Sequence, residues 1–216
     1  DDLRPELEQQ LSTPLGHPLT IGAYQGLRPT GLALGPSSVG PGPRDGSTAS
    51  VRSIHIGLDP LASLWRLKPV AVVRLRGVQL NLRRNAEGAY WVPGPAGKGS
   101  LPRLDLAIRL QDPARVRIIP AGLDVQLAGR AALQLDQSRG TAALKLALPE
   151  QGNVALRLKG DWREPQLDLQ ARVEKLRLRS LKGLIPASEP VSLEGQVGGN
   201  LRLAWDGDKA RCQGGM

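Results

Sequence analysis

The sequence predicts a mainly β protein: long strands, apolar on one face and polar on the other, in a twisted antiparallel sheet, with short helices near the N-terminus. Three observations lead there. Apolar residues recur at every second position, in segment after segment, from Arg103 to Trp205. That is the period of a strand whose side chains alternate between two faces. Gly (26) and Pro (18) are abundant in 216 residues, which suits many turns. Phe is absent, and Trp (4) and Tyr (2) are few, so Leu, Val and Ala must supply the apolar surface. A face of that composition is smooth. It serves either as an ordinary core contribution or as a wall along which flexible chains slide.

The chain divides into an N-terminal segment, residues 1–100, with short helices, a hairpin and loops, and a long-strand segment, residues 101–216. Residues 1–11 read as a short helix. Leu3, Leu7 and Leu11 fall four apart, Pro5 is tolerated in the first turn, and Asp1 and Asp2 suit an N-terminus. Short strands at 19–23 and 31–34 flank a Gly/Pro turn, and residues 36–48 read as a loop without apolar pattern. Residues 51–58 form a strand with Ile54, Ile56 and Leu58 on one face. Asp59-Pro60 starts a helix, an acidic N-cap followed by proline at the first helical position. It runs to about Leu67 with Leu61, Leu64 and Trp65 as its apolar stripe, and Pro69 stops it. Such a helix can cap one end of an open sheet and hide its apolar edge.

Residues 71–84 form a strand with a fault. Val73 and Leu75 lie on odd positions, and Val78, Leu80 and Leu82 on even ones, with Gly77 at the switch. One extra residue there, a β-bulge, returns both sets to one face. Residues 85–88 read as a tight turn, 89–92 as the returning strand and 93–100 as a second loop. The long strands follow: Leu104 to Leu110, Leu123 to Leu135, Leu144 to Leu148, Val154 to Leu158, Leu167 to Val173, and Val191 to Trp205. A second parity slip falls near Glu174-Lys175. Residues 180–185 read as a helical turn ended by Pro186.

The net charge is +9, from 29 basic and 20 acidic residues. Basic residues cluster without acids from Arg66 to Arg84, and again from Arg172 to Lys182 around a single Glu174. Solvated strand faces and charge-guarded edges account for this, and contact with anionic lipid headgroups is the functional alternative. Nucleic acid is not expected: no aromatic interleaving suggests a base-stacking platform, and no segment reads as a recognition helix. The lone Cys212 permits no internal disulfide. The longest uninterrupted apolar run, residues 70–73, is far below the roughly 20 residues of a spanning helix. The chain starts on Asp1 rather than Met and reads as a piece of a longer protein, with any membrane anchor upstream.

No catalytic set is visible, so neither enzymatic activity nor a cofactor is expected. His17 lies between Gly16 and Pro18, and His55 alternates with Ile54 and Ile56. Both read as solvated, and neither has a metal-spaced partner. Residues 97–100 (Gly-Lys-Gly-Ser) lack the upstream glycine of a phosphate loop. Asp206 and Asp208 around Gly207 read as a polar turn rather than a calcium site.

Three stretches carry a family resemblance. Residues 15–22 (LGHPLTIG) resemble the start of AsmA-like and TamB-type proteins. Residues 78–92 (VQLNLRRNAEGAYWV) are similar to their hairpin of strand, Gly turn and Trp. Residues 176–186 (LRLRSLKGLIP), followed by 193–203 (LEGQVGGNLRL), resemble the repeat unit of TamB. In order and spacing the chain most resembles the N-terminal periplasmic region of cyanobacterial members. The resemblance implies a β-groove protein, its long twisted sheet curling into an open groove, held in the inner membrane by an upstream helix and reaching across the periplasm, where it carries phospholipid between inner and outer membranes. It further implies support of outer-membrane protein assembly in some members, through a barrel-assembly partner that engages a part of the family outside this chain. It brings no catalytic or cofactor residues.

On this reading phospholipid acyl chains lie against Leu123, Val125, Leu127, Leu144, Leu146, Leu156, Leu158, Leu167 and Leu169. The alternative is a structural or interaction scaffold whose apolar face is closed over by its own chain.

Overall fold

A computed structural model of the chain describes residues 3–28, 31–94, 103–119, 121–148, 152–161, 163–164, 166–179, 194–207 and 209–215. Helix α1 (Leu3–Leu15) opens the chain. Strands β1 (Leu19–Thr20), β2 (Tyr24–Arg28), β3 (Gly31–Leu34), β4 (Ser37–Val39), β5 (Thr48–Val51) and β6 (Ser53–Leu58) lead to helix α2 (Pro60–Arg66). Then come β7 (Val70–Arg76), β8 (Gln79–Arg83), β9 (Asp105–Leu110), β10 (Ala114–Ile119) and β11 (Leu123–Gln134). A 3-10 turn (Leu135–Gln137) precedes β12 (Arg139–Leu148), β13 (Gly152–Asp161), β14 (Gln166–Arg177), β15 (Gln196–Trp205) and β16 (Ala210–Gly215).

These 16 strands build one sheet, curled and open, that forms a half-barrel groove. The first ten strands are the halves of five bent ribbons. One half of each follows the order β2-β3-β6-β7-β9, and the other follows β1-β4-β5-β8-β10. Both arms meet on β11, whose first half pairs with β10 and whose second half pairs with β9. From β11 to β16 the sheet is a plain antiparallel meander. Eleven ribbons therefore lie side by side in chain order. The single departure from antiparallel order is the fourth junction, where β7 runs parallel to β9 and β8 parallel to β10. The sheet thus crosses the boundary near residue 100 without a break.

The bends line up across neighbouring ribbons. Arg52 N donates to Arg76 O (3.0 Å), Gln111 N to Leu75 O (2.9 Å), and Gly77 N to Asp112 Oδ1 (2.9 Å). Gly77 takes φ +65°, and a Cβ on it would sit 2.7 Å from Arg52 Cβ. Val73 and Leu75 face the same way as Leu80 and Leu82, as expected, but not through an extra residue at Gly77: Ser53 lies opposite Arg76 and Ser50 opposite Gln79, so the register with β6 and β5 runs unbroken and the two ribbons bend together. A file of such bends creases the sheet. The second slip is also present, as a register shift between Val173 and Leu176 with Lys175 at φ +52°. Gly77→Val forces a β-branched side chain into the left-handed region and against Arg52. We expect it to lower stability by about 2 kcal/mol, read as a lower urea midpoint.

Several local expectations are corrected. Helix α1 runs on to Leu15, and Leu7 and Leu11 on its stripe are exposed. A strand, β2, occupies residues 24–28, and another, β4, lies within the segment read as a loop. Residues 89–92 are not a returning strand. Val92 N donates instead to Asp45 Oδ2 (2.8 Å), and Ser47 Oγ donates to Tyr90 O. Helix α2 forms where expected but hides no edge, because none of its residues is buried. The expected helical turn at 180–185 and most of the loop at 93–100 lie outside the described residues.

Candidate functional site

The groove's character follows from register. Because paired residues share a face, a row of partners can be traced across the sheet. One row runs Leu27, Leu32, Ile56, Val73, Ile108, Ala131, Ala142, Leu158, Leu169, Leu203, Cys212. It takes one residue from every ribbon and meets no charged or strongly polar side chain. At about 4.8 Å per ribbon the row is about 48 Å long.

All nine side chains expected to face lipid lie on this same face. Leu127 is opposite Leu146, Leu144 opposite Leu156, Leu158 opposite Leu169, and Leu167 opposite Trp205. Leu123 and Val125 are buried in a cluster with Val116, Leu148 and Leu176, flanked by Leu80, Leu82 and Ile118, and Leu127 and Leu146 pack against the same cluster. Members of that cluster come from ribbons that are not neighbours, so the apolar face is the one that curls inward. There it forms a sealed floor. Leu127, Leu144, Leu146, Leu156, Leu158, Leu167 and Leu169 are half-buried, whereas Ala143 and Ala155 on the opposite face are exposed despite being smaller. The contribution of the N-terminal ribbons to the row was readable in the alternation of Ile54, Ile56 and Leu58. That Cys212 closes the row follows only from the pairing of β16.

The outer face is polar and basic. Arg74, Arg109 and Arg130 are directly paired across β7, β9 and β11, and Arg157 and Arg202 continue the row beyond Ala143 and Gln170. Arg202 is bound by Asp168 at 2.7 Å. A depression of about 580 Å³ lies among Arg157, Gln170, Arg172, Asn200, Arg202 and Gln213.

One rim of the groove carries α2. Asp59 accepts from Ala62 N (2.9 Å), and Ser63 Oγ accepts from Val70 N (2.9 Å). Leu67 ends the helix in the left-handed region at φ +51°. Behind it, Asp105 on β9 is bound by Arg66, and Lys68 Nζ approaches its Oδ1 at 2.7 Å and Asp136 at 3.1 Å. The Lys68 contact to Oδ1 is an ion pair without aligned hydrogen-bond geometry, since Oδ1 has no directed donor. Every polar handle of α2 is thus turned inward, and its apolar side chains point out.

The opposite rim holds a buried polar lock. His17, expected in solvent, is buried against Trp91, with ring centroids 4.1 Å apart. Its Nδ1 lies 3.1 Å from Gly40 O, and its Nε2 lies 3.3 Å from Asp45 Oδ2. Asp45 Oδ1 accepts from Ser47 N (2.8 Å). Histidine, aspartate and serine are the residue types of a hydrolytic triad, but the geometry differs. Ser47 is 0% exposed, and its hydroxyl is spent on backbone carbonyls rather than facing the imidazole. The trio ties residues 17, 45, 47 and 90–92 together. Among the described residues, no group of three or more His, Cys, Asp or Glu could hold a metal, and no helix is long and apolar enough to cross a membrane.

Burial alone would raise the Asp45 carboxyl, but the hydrogen bonds from Ser47 and Val92 outweigh it and hold it below its ordinary 3.8. Asp105 behaves likewise: burial opposes, and Lys68 and Arg66 prevail. A carboxyl lowered in the folded state contributes stability above its unfolded pKa and loses it as pH falls towards the folded one. We therefore expect the melting temperature to drop as pH falls through and below the ordinary carboxylate value of 3.8. An Asp45→Asn/Asp105→Asn variant should be less stable at neutral pH and show a flatter acid limb by circular dichroism.

No family model matches the chain, and neither a curated protein nor a solved structure is significantly similar to it.

Proposed function

We propose that this chain is a segment of a lipid-conducting groove, one that carries phospholipid acyl chains between membranes as TamB-type proteins are thought to do, in the periplasm between inner and outer membrane. The observation that carries the reading is the apolar row that crosses all eleven ribbons, on a face where Leu144, Leu156, Leu158, Leu167 and Leu169 stay half-buried outside the sealed cluster. Apolar burial at about 25 cal/mol per Å² holds an acyl chain there. The wall strands β11 to β14 each pair with a neighbour on both sides, so a chain can slide along them without displacing the sheet's own hydrogen bonds. At about 48 Å the row exceeds the roughly 30 Å hydrocarbon core of a bilayer, long enough to hold lipids in file.

The sealed cluster around Val125 favours a second reading, a scaffold with a closed core. Neighbouring side chains separate the two. Leu156 and Arg157 are adjacent in β13 but face opposite ways. A photo-crosslinking residue at Leu156 is expected to capture phospholipid from cells expressing the chain, and the same residue at Arg157 to capture none. Equal capture at both positions, or none at Leu156, would leave the scaffold.

A further inference from the structure

We propose that the α2 end of the sheet is a bilayer-docking edge, with α2 as an apolar wedge and the outer arginine row as its contact to anionic headgroups. The inference deepens the groove reading and rests on it. Leu61 (71%), Leu64 (72%), Trp65 (87%) and Leu67 (89%) are among the most exposed large apolar side chains described. Leu58 and Leu27, at the same end of the sheet, are exposed as well. A seven-residue helix that buries nothing has no stability of its own. It is held by Asp59, Ser63 and the Asp105 clamp, so its apolar side is rigidly presented rather than frayed.

The surroundings identify the occupant. Trp prefers the membrane–water interface, where one end of the indole is apolar and the other wet. Arg74, Arg109 and Arg130 lie directly side by side, an arrangement that like charges oppose, and among the described residues no carboxylate forms an ion pair with any of them. Arg109 shares a face with Asp105, the anchor of α2, and lies about 13 Å further along the strand. An interfacial wedge sits about 5–10 Å deep, which leaves that row at the level of the phosphates. The net charge of +9 adds long-range attraction to an anionic surface. A second copy of the chain fits less well: it carries the same charge, and a handful of side chains falls short of the roughly 20–30 residues a side of a stable interface.

The test is flotation of the purified chain with vesicles of phosphatidylcholine containing phosphatidylglycerol. The wild type is expected to float, and Leu64→Ser/Trp65→Ser to lose about tenfold or more in vesicle affinity at unchanged melting temperature. Arg109→Gln/Arg130→Gln should weaken binding and flatten its salt dependence. Phospholipid carried by the unbound chain in solution should be the same in the wedge variant as in the wild type, which separates failure of docking from failure of the groove. Flotation undiminished in the wedge variant, or self-association through this edge in place of flotation, would overturn the proposal.

Discussion

A carboxylate at Val125 is expected to unfold the protein, while one at Leu156 is not. Val125 is 4% exposed and packs in the sealed floor with Val116, Leu123, Leu148 and Leu176. Val125→Asp buries an unpaired charge there, at a cost of about 4 kcal/mol or more, a large share of a domain's net stability. Leu156 lies on the same face but on the half-open wall, outside that cluster. In Leu156→Glu the carboxylate reaches water through the mouth of the groove, so the loss is about 1 kcal/mol, yet the charge stands in the path of any acyl chain. Urea denaturation followed by circular dichroism reads the difference. A closed core would make the two variants equally destructive.

The second large effect is expected at Asp105, which is buried and clamps both Arg66 and Lys68. Asp105→Ala removes the common anchor of α2 and leaves two cations facing each other near a buried site. The expected loss is about 3 kcal/mol, below the full figure for a buried pair because Arg66 is half exposed and Lys68 keeps Asp136. Hydrogen exchange should show the amides of α2 opening first, since the rest of the sheet does not depend on this clamp. Unchanged protection of α2 would mean that the caps at Asp59 and Leu67 suffice alone.

Much of the sheet was legible because alternation survives wherever one face is apolar. The strands β11 to β15, the change of parity at Gly77 and the slip at Lys175 all followed from counting parity, whereas β16 carries no alternation to count. Asp59-Pro60 marked α2 because an N-cap and a first-turn proline are local signals. What escaped has a common cause. Periodicity says which way a side chain faces, but not which ribbon lies beside it, so the parallel junction of β7 with β9 was invisible. The amphipathic stripe of α2 said which side is apolar, and nothing about whether anything covers it. His17 was read as solvated because its partners Asp45 and Trp91 are far away in sequence. Strand β4 is three residues long and two of them are serine, too short and too polar to show a pattern. The split of the expected lipid-facing set into a sealed floor and an open wall depends on curvature, which alternation does not encode.

Native mass spectrometry of the purified chain tests the central claim most directly. An unroofed apolar groove is expected to retain phospholipid through purification, giving discrete adduct masses that disappear in Leu156→Glu while the fold persists. A bare chain mass in the wild type, obtained from lipid-rich cells under gentle activation, would contradict it.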